Sequence, residues 1–286
     1  MQNTAELRPR QTQIIRPTSG WVAVNLRELI QYRDLLLVLA RRDIKLRYRQ
    51  TLVGPMWIVL EPLLAAGVFT FVFGKVANMK APEHVPYYIF SFSGLLGWNL
   101  FSGMLTRASG SLVASSHLVA KVYFPRLILP LAAVCGTLVD FGVALAVMAV
   151  LLVVNHIVPG IGLLTLPFWL ALILMLGLGI GLCASALMVS YRDVNRFLGV
   201  CTTFLMWMSP VAYSTSDAVK KLPASLQFVY TLNPIAPLLE GLRWSLLGKG
   251  LINVGEIIYA ALFSCGVLAA GALAFKRMEK KFADVI

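Results

Sequence analysis

The sequence predicts an all-α polytopic membrane protein with six transmembrane helices, an N-terminal cytoplasmic amphipathic helix, and short re-entrant or gate helices between spans five and six. Three observations predict it. The 286 residues are 58% hydrophobic and only 13% charged, too little polar surface for a soluble domain. Apolar runs of about 20 residues recur, and at 1.5 Å per residue each matches a hydrocarbon core of about 30 Å. Of the 25 Lys and Arg residues, 19 fall on alternate connections that share a side with the N-terminus. That bias predicts both termini in the cytoplasm.

The stretch from Arg41 to Ala77 shows the pattern most clearly. A basic stem, Arg41-Arg42-Asp43-Ile44-Lys45-Leu46-Arg47-Tyr48-Arg49, turns at Gly54-Pro55 and enters an apolar run broken only by Glu61-Pro62. Ahead of it, residues 1–20 are polar, carry Pro9 and Pro17, and read as a flexible cytoplasmic tail. Residues 21–51 hold the amphipathic helix and stem: Leu26, Leu29, Ile30, Leu37, Ala40 and Ile44 recur at three- to four-residue steps with gaps. Residues 52–286 form the six-span domain, with spans near 53–77, 86–106, 127–154, 163–189, 197–214 and 252–275. The first 30 residues hold no apolar core, so the first span is expected to direct insertion itself.

Between spans five and six, Pro223 to Gly248 is apolar but broken at Asn233-Pro234 and Pro237. Proline cannot continue a helix, and the residue before it avoids the helical region. Two short helices result, each too short to cross, and two readings stand beside each other: a re-entrant outer gate, or an interfacial loop anchored by Trp244. Span four carries Gly177, Gly181 and Ser185 at four-residue spacing, read first as packing within the chain and second as a dimer face.

Glu61 and Asp140 are ionisable groups at membrane depth, where exposure to lipid costs about 2.5–3.5 kcal/mol or more. Either they line a path, or they bond a neighbouring helix or a freed backbone group; the second reading is preferred. Cys135, Cys183, Cys201 and Cys265 lie in apolar runs and read as small buried residues. His84, His117 and His156 fall in three different loops, and no metal-ligand or paired-carboxylate pattern appears on a polar segment. The net charge of +12 reads as topogenic and lipid-attracting, with no nucleic-acid partner. No Gly-x-x-x-x-Gly-Lys-Ser/Thr phosphate loop occurs, so any uphill transport needs an ion gradient or a separate ATPase. The inside segments offer such a motor three surfaces: the basic stem, the Ser115–Arg126 loop, and Tyr191–Arg196.

Six strings then occur in one order. They are Leu52-Val53-Gly54-Pro55-Met56-Trp57 with Glu61-Pro62, Gly94-Leu95-Leu96-Gly97-Trp98-Asn99, and Lys121-Val122-Tyr123-Phe124-Pro125-Arg126 with Leu129-Pro130. Tyr191-Arg192-Asp193-Val194, Ser209-Pro210-Val211-Ala212-Tyr213 and Leu232-Asn233-Pro234 complete the set. Over about residues 25–280 the chain resembles the permeases of polysaccharide-exporting ATP-binding-cassette transporters, the type 2 exporters of O-antigen, capsule and teichoic acid. Gly97 departs from the pattern, since many members have Pro there.

The resemblance implies a homodimeric permease of the bacterial inner membrane that exports a polysaccharide, often lipid-linked. It implies two copies of a partner ATPase, which uses ATP and Mg while this chain binds no cofactor and is no enzyme. It also implies an ATPase-docking surface, for which the candidates are Arg41, Arg42, Lys45, Ser115, His117, Lys121, Tyr123, Phe124, Arg192 and Asp193. Asn233 and Pro234 would then belong to outer gate helices. A sugar polymer needs a wet channel with flat apolar platforms and weak, repeated binding. Candidates are Trp57, Tyr87, Tyr88, Trp98, Phe101, Trp207 and Tyr213, with Glu61, although for any one aromatic a headgroup belt or core packing is the simpler reading. A drug or small-molecule exporter of the same architecture shares most of the strings and stays open as an alternative. A membrane enzyme lacks its constellation, and an ion-driven transporter would work without a partner ATPase.

Overall fold

Long apolar runs can satisfy their backbone in hydrocarbon only as helices, and helices are what these runs form. The computed structural model describes residues 26–48, 56–79, 81–82, 85–250, 253–279 and 282, with the side chains of 26–28, 47, 48, 217, 221, 224, 226 and 229 left aside. The tail at 1–20, the Gly54-Pro55 joint with Leu52 and Val53, and Arg49, Lys80, His84, Lys280 and Lys281 lie outside the described residues. No strand occurs among the described residues.

The order is α1 (Leu26–Gln31), α2 (Arg33–Tyr48), α3 (Trp57–Phe69, continued by a π-helix Thr70–Val76), α4 (Tyr87–Ala114), α5 (Ser116–Lys121) and α6 (Ile128–Val154). A 3-10 turn at Ile161–Thr165 leads into α7 (Leu166–Ser190), followed by α8 (Val194–Met208), α9 (Thr215–Lys221), α10 (Ala224–Thr231), α11 (Ile235–Leu247) and α12 (Val254–Met278). Local chemistry sets several ends. Asn253 caps α12 by accepting the Gly255 N–H at 3.0 Å. Glu256 in its first turn and Lys276 and Arg277 in its last complement the helix dipole. Gly248 ends α11 at φ 64°, where only glycine sits without strain, and its N–H meets the Trp244 carbonyl at 2.8 Å.

Among the described residues, four helical stretches are long and apolar enough to cross a membrane: Trp57–Val76, Ile128–Val154, Ile161–Ser190 and Val254–Met278. They coincide with the expected spans one, three, four and six. The expected second span, 86–106, is the 28-residue α4, which runs on to Ala114. Its serines, glycines and Asn99 make it too polar to stand among the four. It does not need to be apolar, because Ile89 to Trp98 is buried without interruption among neighbouring helices. The expected fifth span, 197–214, is α8, whose 15 residues reach only about 22 Å. The Ser115–Arg126 loop contains α5.

α4 is the hub. It packs on α7 and α6, and less widely on α3 and α11, while α7 packs on α12 along most of its length. The glycine stripe serves this packing inside the chain. A Cβ on Gly177 would meet the Phe101 carbonyl of α4 at 3.0 Å, and one on Gly181 would meet Ala108 at 2.6 Å. Gly179, on the other face of α7, leaves no room either: a Cβ there would lie 2.7 Å from the backbone of Leu268 in α12.

Two apolar cores mark the two ends of the bundle. The larger joins Ile89, Phe90, Phe92 and Leu96 of α4 to Met148 and Leu152 of α6, Trp169 and Ile173 of α7, and Leu239, Leu242 and Leu246 of α11. The smaller joins Leu39 and Ala40 of α2 to Leu112, Val119, Phe124, Ile128, Leu182, Phe275 and Phe282. The amphipathic helix differs from expectation in two respects. Tyr32 interrupts it, and its buried stripe runs through Leu29, Tyr32, Leu36, Leu39 and Ala40. Ile30 and Leu37 instead point away, 65% and 46% exposed. Leu29 and Ala40 of the expected stripe do face the bundle and Ile44 lies near Gly136 of α6, so contact with α6 removes Ile30 and Leu37 from it and adds Tyr32, Leu36 and Leu39. Cys135, Cys183 and Cys201 are partly buried free thiols, whereas Cys265 is exposed on α12.

The crossing of α7 and α12 supplies a controlled test. A Cβ on Gly271 would sit 2.1 Å from the Gly179 carbonyl oxygen, while one on Gly266 of the same helix meets nothing within 4 Å. Gly271→Ala should cost about 1–3 kcal/mol, seen as a lowered unfolding temperature in detergent. Gly266→Ala should leave that temperature unchanged.

Candidate functional site

Three helical stripes converge on one cleft. α3 presents Trp57, Ile58, Glu61 and Pro62; α4 presents Leu96, Asn99, Leu100, Ser102, Gly103 and Arg107; α6 presents Thr137, Asp140, Phe141 and Ala144. Their spacings of three, four and seven are those of a single helix face. The cleft holds about 480 Å³, within the range of small-ligand sites. Arg107 and Asp140 form an ion pair across it from α4 to α6, with side chains 20% and 25% exposed. Arg107 also donates to the Thr137 hydroxyl at 3.2 Å, and that hydroxyl donates to the Ala133 carbonyl at 2.9 Å. Asp140 therefore bonds a neighbouring helix. Its partner Arg107 falls one residue past the expected end of span two at 106, but lies inside α4. Glu61 is exposed into the cleft and makes no hydrogen bond or ion pair among the described residues. Pro62 behind it is buried and takes one donor out of α3.

The α11 end is built around a residue that sequence reasoning missed. Arg243 falls in the Pro223–Gly248 stretch between expected spans five and six, where a cation reads as topogenic, yet it is 1% exposed. It donates to the carbonyls of Pro210 at 2.6 Å, Val211 at 3.0 Å and Tyr213 at 3.4 Å. It pairs with Glu240 one turn earlier at 3.2 Å, and its guanidinium carbon lies 4.1 Å from the centre of the Phe90 ring. Glu240 also accepts from the N–H of Thr215 at 2.8 Å and from its hydroxyl at 3.1 Å. The turn that ends α8 is thus clasped by α11. Gly94 faces the same turn, where a Cβ would meet the Val211 oxygen at 2.1 Å. Asn233 accepts the Ile235 N–H at 3.0 Å and donates to the Ser209 hydroxyl at 3.0 Å. Pro234 directly precedes the first turn of α11. The Asn233-Pro234 break is therefore a helix start tied to the same turn. A signal for Arg243 did exist: a cation three residues after Glu240, within a helix that is apolar on every side.

The aromatic candidates divide. Trp57 is 48% exposed at the rim of the cleft. Trp207 is 53% exposed and meets Phe69 and Phe73 of the first span, with ring centres 6.2 and 6.3 Å away. Tyr213 donates to the Trp207 carbonyl at 3.0 Å. Tyr87 donates to the Ala212 carbonyl, and Tyr88 donates to Asn155 at 2.6 Å. Trp98 and Phe101 pack on each other at 5.6 Å and are 4% and 1% exposed. Those two face no open space in this chain. They are core residues because the apolar face of α4 turns inward to α7 and α11.

At the α2 end, Arg42 donates to Asp43 at 2.9 Å and reaches the Ser115 hydroxyl at 3.4 Å, joining the stem to the start of α5. Arg41, Lys45, His117, Lys121, Tyr123, Arg192 and Asp193 are exposed. Ser115 and Phe124 are buried, at 4% and 6%, so they build this end and do not present a face. Arg126 donates to the Glu279 carbonyl and stacks over Phe282 at 5.7 Å, while Glu279 pairs with Lys276 at 2.6 Å. The end of α12 is thereby tied to the segment that follows α5.

Long apolar helices, a polar cleft among them and a charged end define a multi-pass membrane protein. The chain belongs to the ABC-2 type transporter family, whose model matches residues 34–247. It is 29% identical over 269 residues to the O-antigen export system permease protein RfbA of Myxococcus xanthus, covering 91% of this chain and 98% of that protein. It is 27% identical over 260 residues to the protein of the same name from Klebsiella pneumoniae, covering 88% and 95%. The polysialic acid transport protein KpsM of Escherichia coli is 22% identical over 241 residues, covering 84% and 91%.

The Arg243 clasp is testable. Arg243→Met strips three carbonyls and Glu240 of their partner, and breaking a buried pair from one side costs about 3–5 kcal/mol. The expected result is a lower unfolding temperature in detergent and new proteolytic cleavage between residues 209 and 223. Adding Glu240→Gln should recover part of the loss.

Proposed function

We propose that this chain is the permease subunit of an ATP-driven transporter that exports a lipid-linked polysaccharide, such as O-antigen or capsule, across the bacterial inner membrane. The observation that carries this reading is the similarity to glycan-export permeases from end to end, across 84–91% of the chain for the relatives above. Physical features support it. With the α2 end in the cytoplasm, α3, α4, α6, α7, α8 and α12 cross in turn, α8 being completed by the Ser209–Tyr213 turn. The short helices α9, α10 and α11 then stand on the outer side, held by the Arg243 clasp.

Of the helices read as crossing, the first span and α8 are the least buried. Leu64, Val68 and Phe71 on one and Phe197, Val200 and Phe204 on the other are 55–68% exposed. In our reading a second copy of this chain covers part of that face, and the polymer passes where the two copies meet. Two ATPase subunits dock from the cytoplasm on Arg41, Lys45, His117, Lys121, Tyr123, Arg192 and Asp193. Their stroke reaches the bundle through α2 and α5, because Arg42 and Ser115 join those elements.

Two experiments test this reading. A clean deletion should remove one glycan from the cell surface and leave it, still on its lipid, inside the cell. Normal surface glycan in a strain with no second exporter contradicts the proposal. Charge reversal of Arg41 and Lys45 together should lower ATPase recovery with the affinity-purified permease, with chain abundance and topology unchanged. Full recovery together with full export would leave the stem as an orientation signal only.

A further inference from the structure

We infer that the cleft between α3, α4 and α6 is a saccharide-binding site, in which Glu61, Asn99 and the Arg107–Asp140 pair take ring hydroxyls and Trp57 takes a ring face. This inference rests on the polysaccharide reading above and places sugar contact at a defined position in the chain.

The polar groups in the cleft demand a polar occupant. Glu61 and Asn99 are both exposed into it and have no hydrogen-bond partner among the described residues. Arg107 and Asp140 meet each other and line it, with side chains 20% and 25% exposed. In a bilayer such groups face water or a polar ligand, because lipid tails offer them nothing. A hydrocarbon chain is therefore a poor fit.

The balance of charge narrows the ligand further. Among the described residues, two carboxylates, Glu61 and Asp140, face one guanidinium, and Asp140 already holds that guanidinium. A phosphate would meet more repulsion than attraction here. Sugar hydroxyls both donate and accept, and they match a mixed set of carboxylate, amide and guanidinium. The Trp57 indole, half exposed at the rim, offers a flat apolar face to the C–H side of a pyranose, and a π face attracts such slightly positive edges. The volume of about 480 Å³ accommodates a small oligosaccharide segment. Weak contacts of this kind also suit a conduit, since a polymer must leave each position as readily as it arrives.

The test uses the complete transporter in inverted membrane vesicles. The four native cysteines are replaced by Ala, and Ser102→Cys is introduced; Ala144→Cys, on the opposite wall, serves as the second probe. A charged, membrane-impermeant methanethiosulfonate is added to vesicles from cells that make the glycan and from cells blocked at its first sugar transfer. The expected result is modification without glycan and at least severalfold protection with it, at either position. Equal modification in both vesicle types overturns the inference, and so does no modification in either, which would mean a cleft filled by protein or lipid.

Trp57→Ala should lower surface glycan about tenfold at unchanged chain abundance, the loss of roughly 1.4 kcal/mol of stacking, and Trp57→Phe should restore most of it. Full export by Trp57→Ala overturns the inference. The deletion strain separates the two claims. Glycan lost on deletion but unprotected cysteines would sink the cleft assignment alone, whereas glycan retained on deletion would sink the export reading itself.

Discussion

A charged or hydrogen-bonding group within a bilayer has no solvent to turn to, so it must find partners in the protein or along a wet path. Most of this structure can be read as two answers to that constraint. At the α11 end the answer is internal. Arg243 spends its guanidinium on three carbonyls, Glu240 and the face of Phe90, and an otherwise unpaired turn becomes a fixed corner. In the cleft the answer is incomplete. The Arg107–Asp140 pair satisfies two groups, while Glu61 and Asn99 stay open. The clasp belongs to the frame, and in our reading the groups left open in the cleft mark where something polar comes and goes.

The frame depends on close helix approach. Between lipid-bathed helices, association relies on van der Waals contact and hydrogen bonds more than on burial from water. Gly177 and Gly181 let α7 lie on α4, and Gly179 and Gly271 bring α7 onto α12 at backbone distance. The hub α4 can then be rich in serine and glycine, since its polar groups face protein. Ser91, Ser93, Ser109 and Ser185 are all buried in this interior. The three-helix stack leaves α3 and α8 as outlying elements. They carry the exposed apolar surface and the aromatic group Phe69, Phe73 and Trp207, and in our reading they flank the path.

Much of this was legible in the sequence, and what was not has physical reasons. The four apolar spans were legible because hydrocarbon thickness imposes run length directly. The helices that follow Pro223 and Asn233-Pro234 were legible because proline suits a helix start; Pro237, expected as a second break, instead lies in the first turn of α11, where the N–H it lacks would have had no partner within the helix. α4 was placed but ended too early, because the reading tied a span to its apolar run, and a helix buried in protein is free of that limit. The face of the amphipathic helix was legible at Leu29, Ala40 and Ile44 and missed at Ile30 and Leu37, since contact with α6 and not its own periodicity selects it. Arg107 and Asp140 lie 33 positions apart across a turn and α5, so only the register of α6 against α4 brings them together. Arg243 was misread because a cation near a predicted loop looks topogenic until its burial is seen.

In our reading a separate ATPase drives this chain from the α2 end, and linking the two ends is then the mechanical question. Arg42 to Ser115, and Arg126 to Glu279, tie the exposed stem and α5 to α6 and α12, and α6 carries Asp140 of the cleft. A push on the stem therefore reaches the cleft through packed helices. The most direct measurement of the central claim uses inverted membrane vesicles loaded on the outside with radiolabelled lipid-linked glycan and then treated with a glycosidase that cannot cross the membrane. The account predicts that ATP makes the label resistant to the enzyme, and that vesicles lacking this chain show no such protection. Equal protection without the chain, or without ATP, would contradict it.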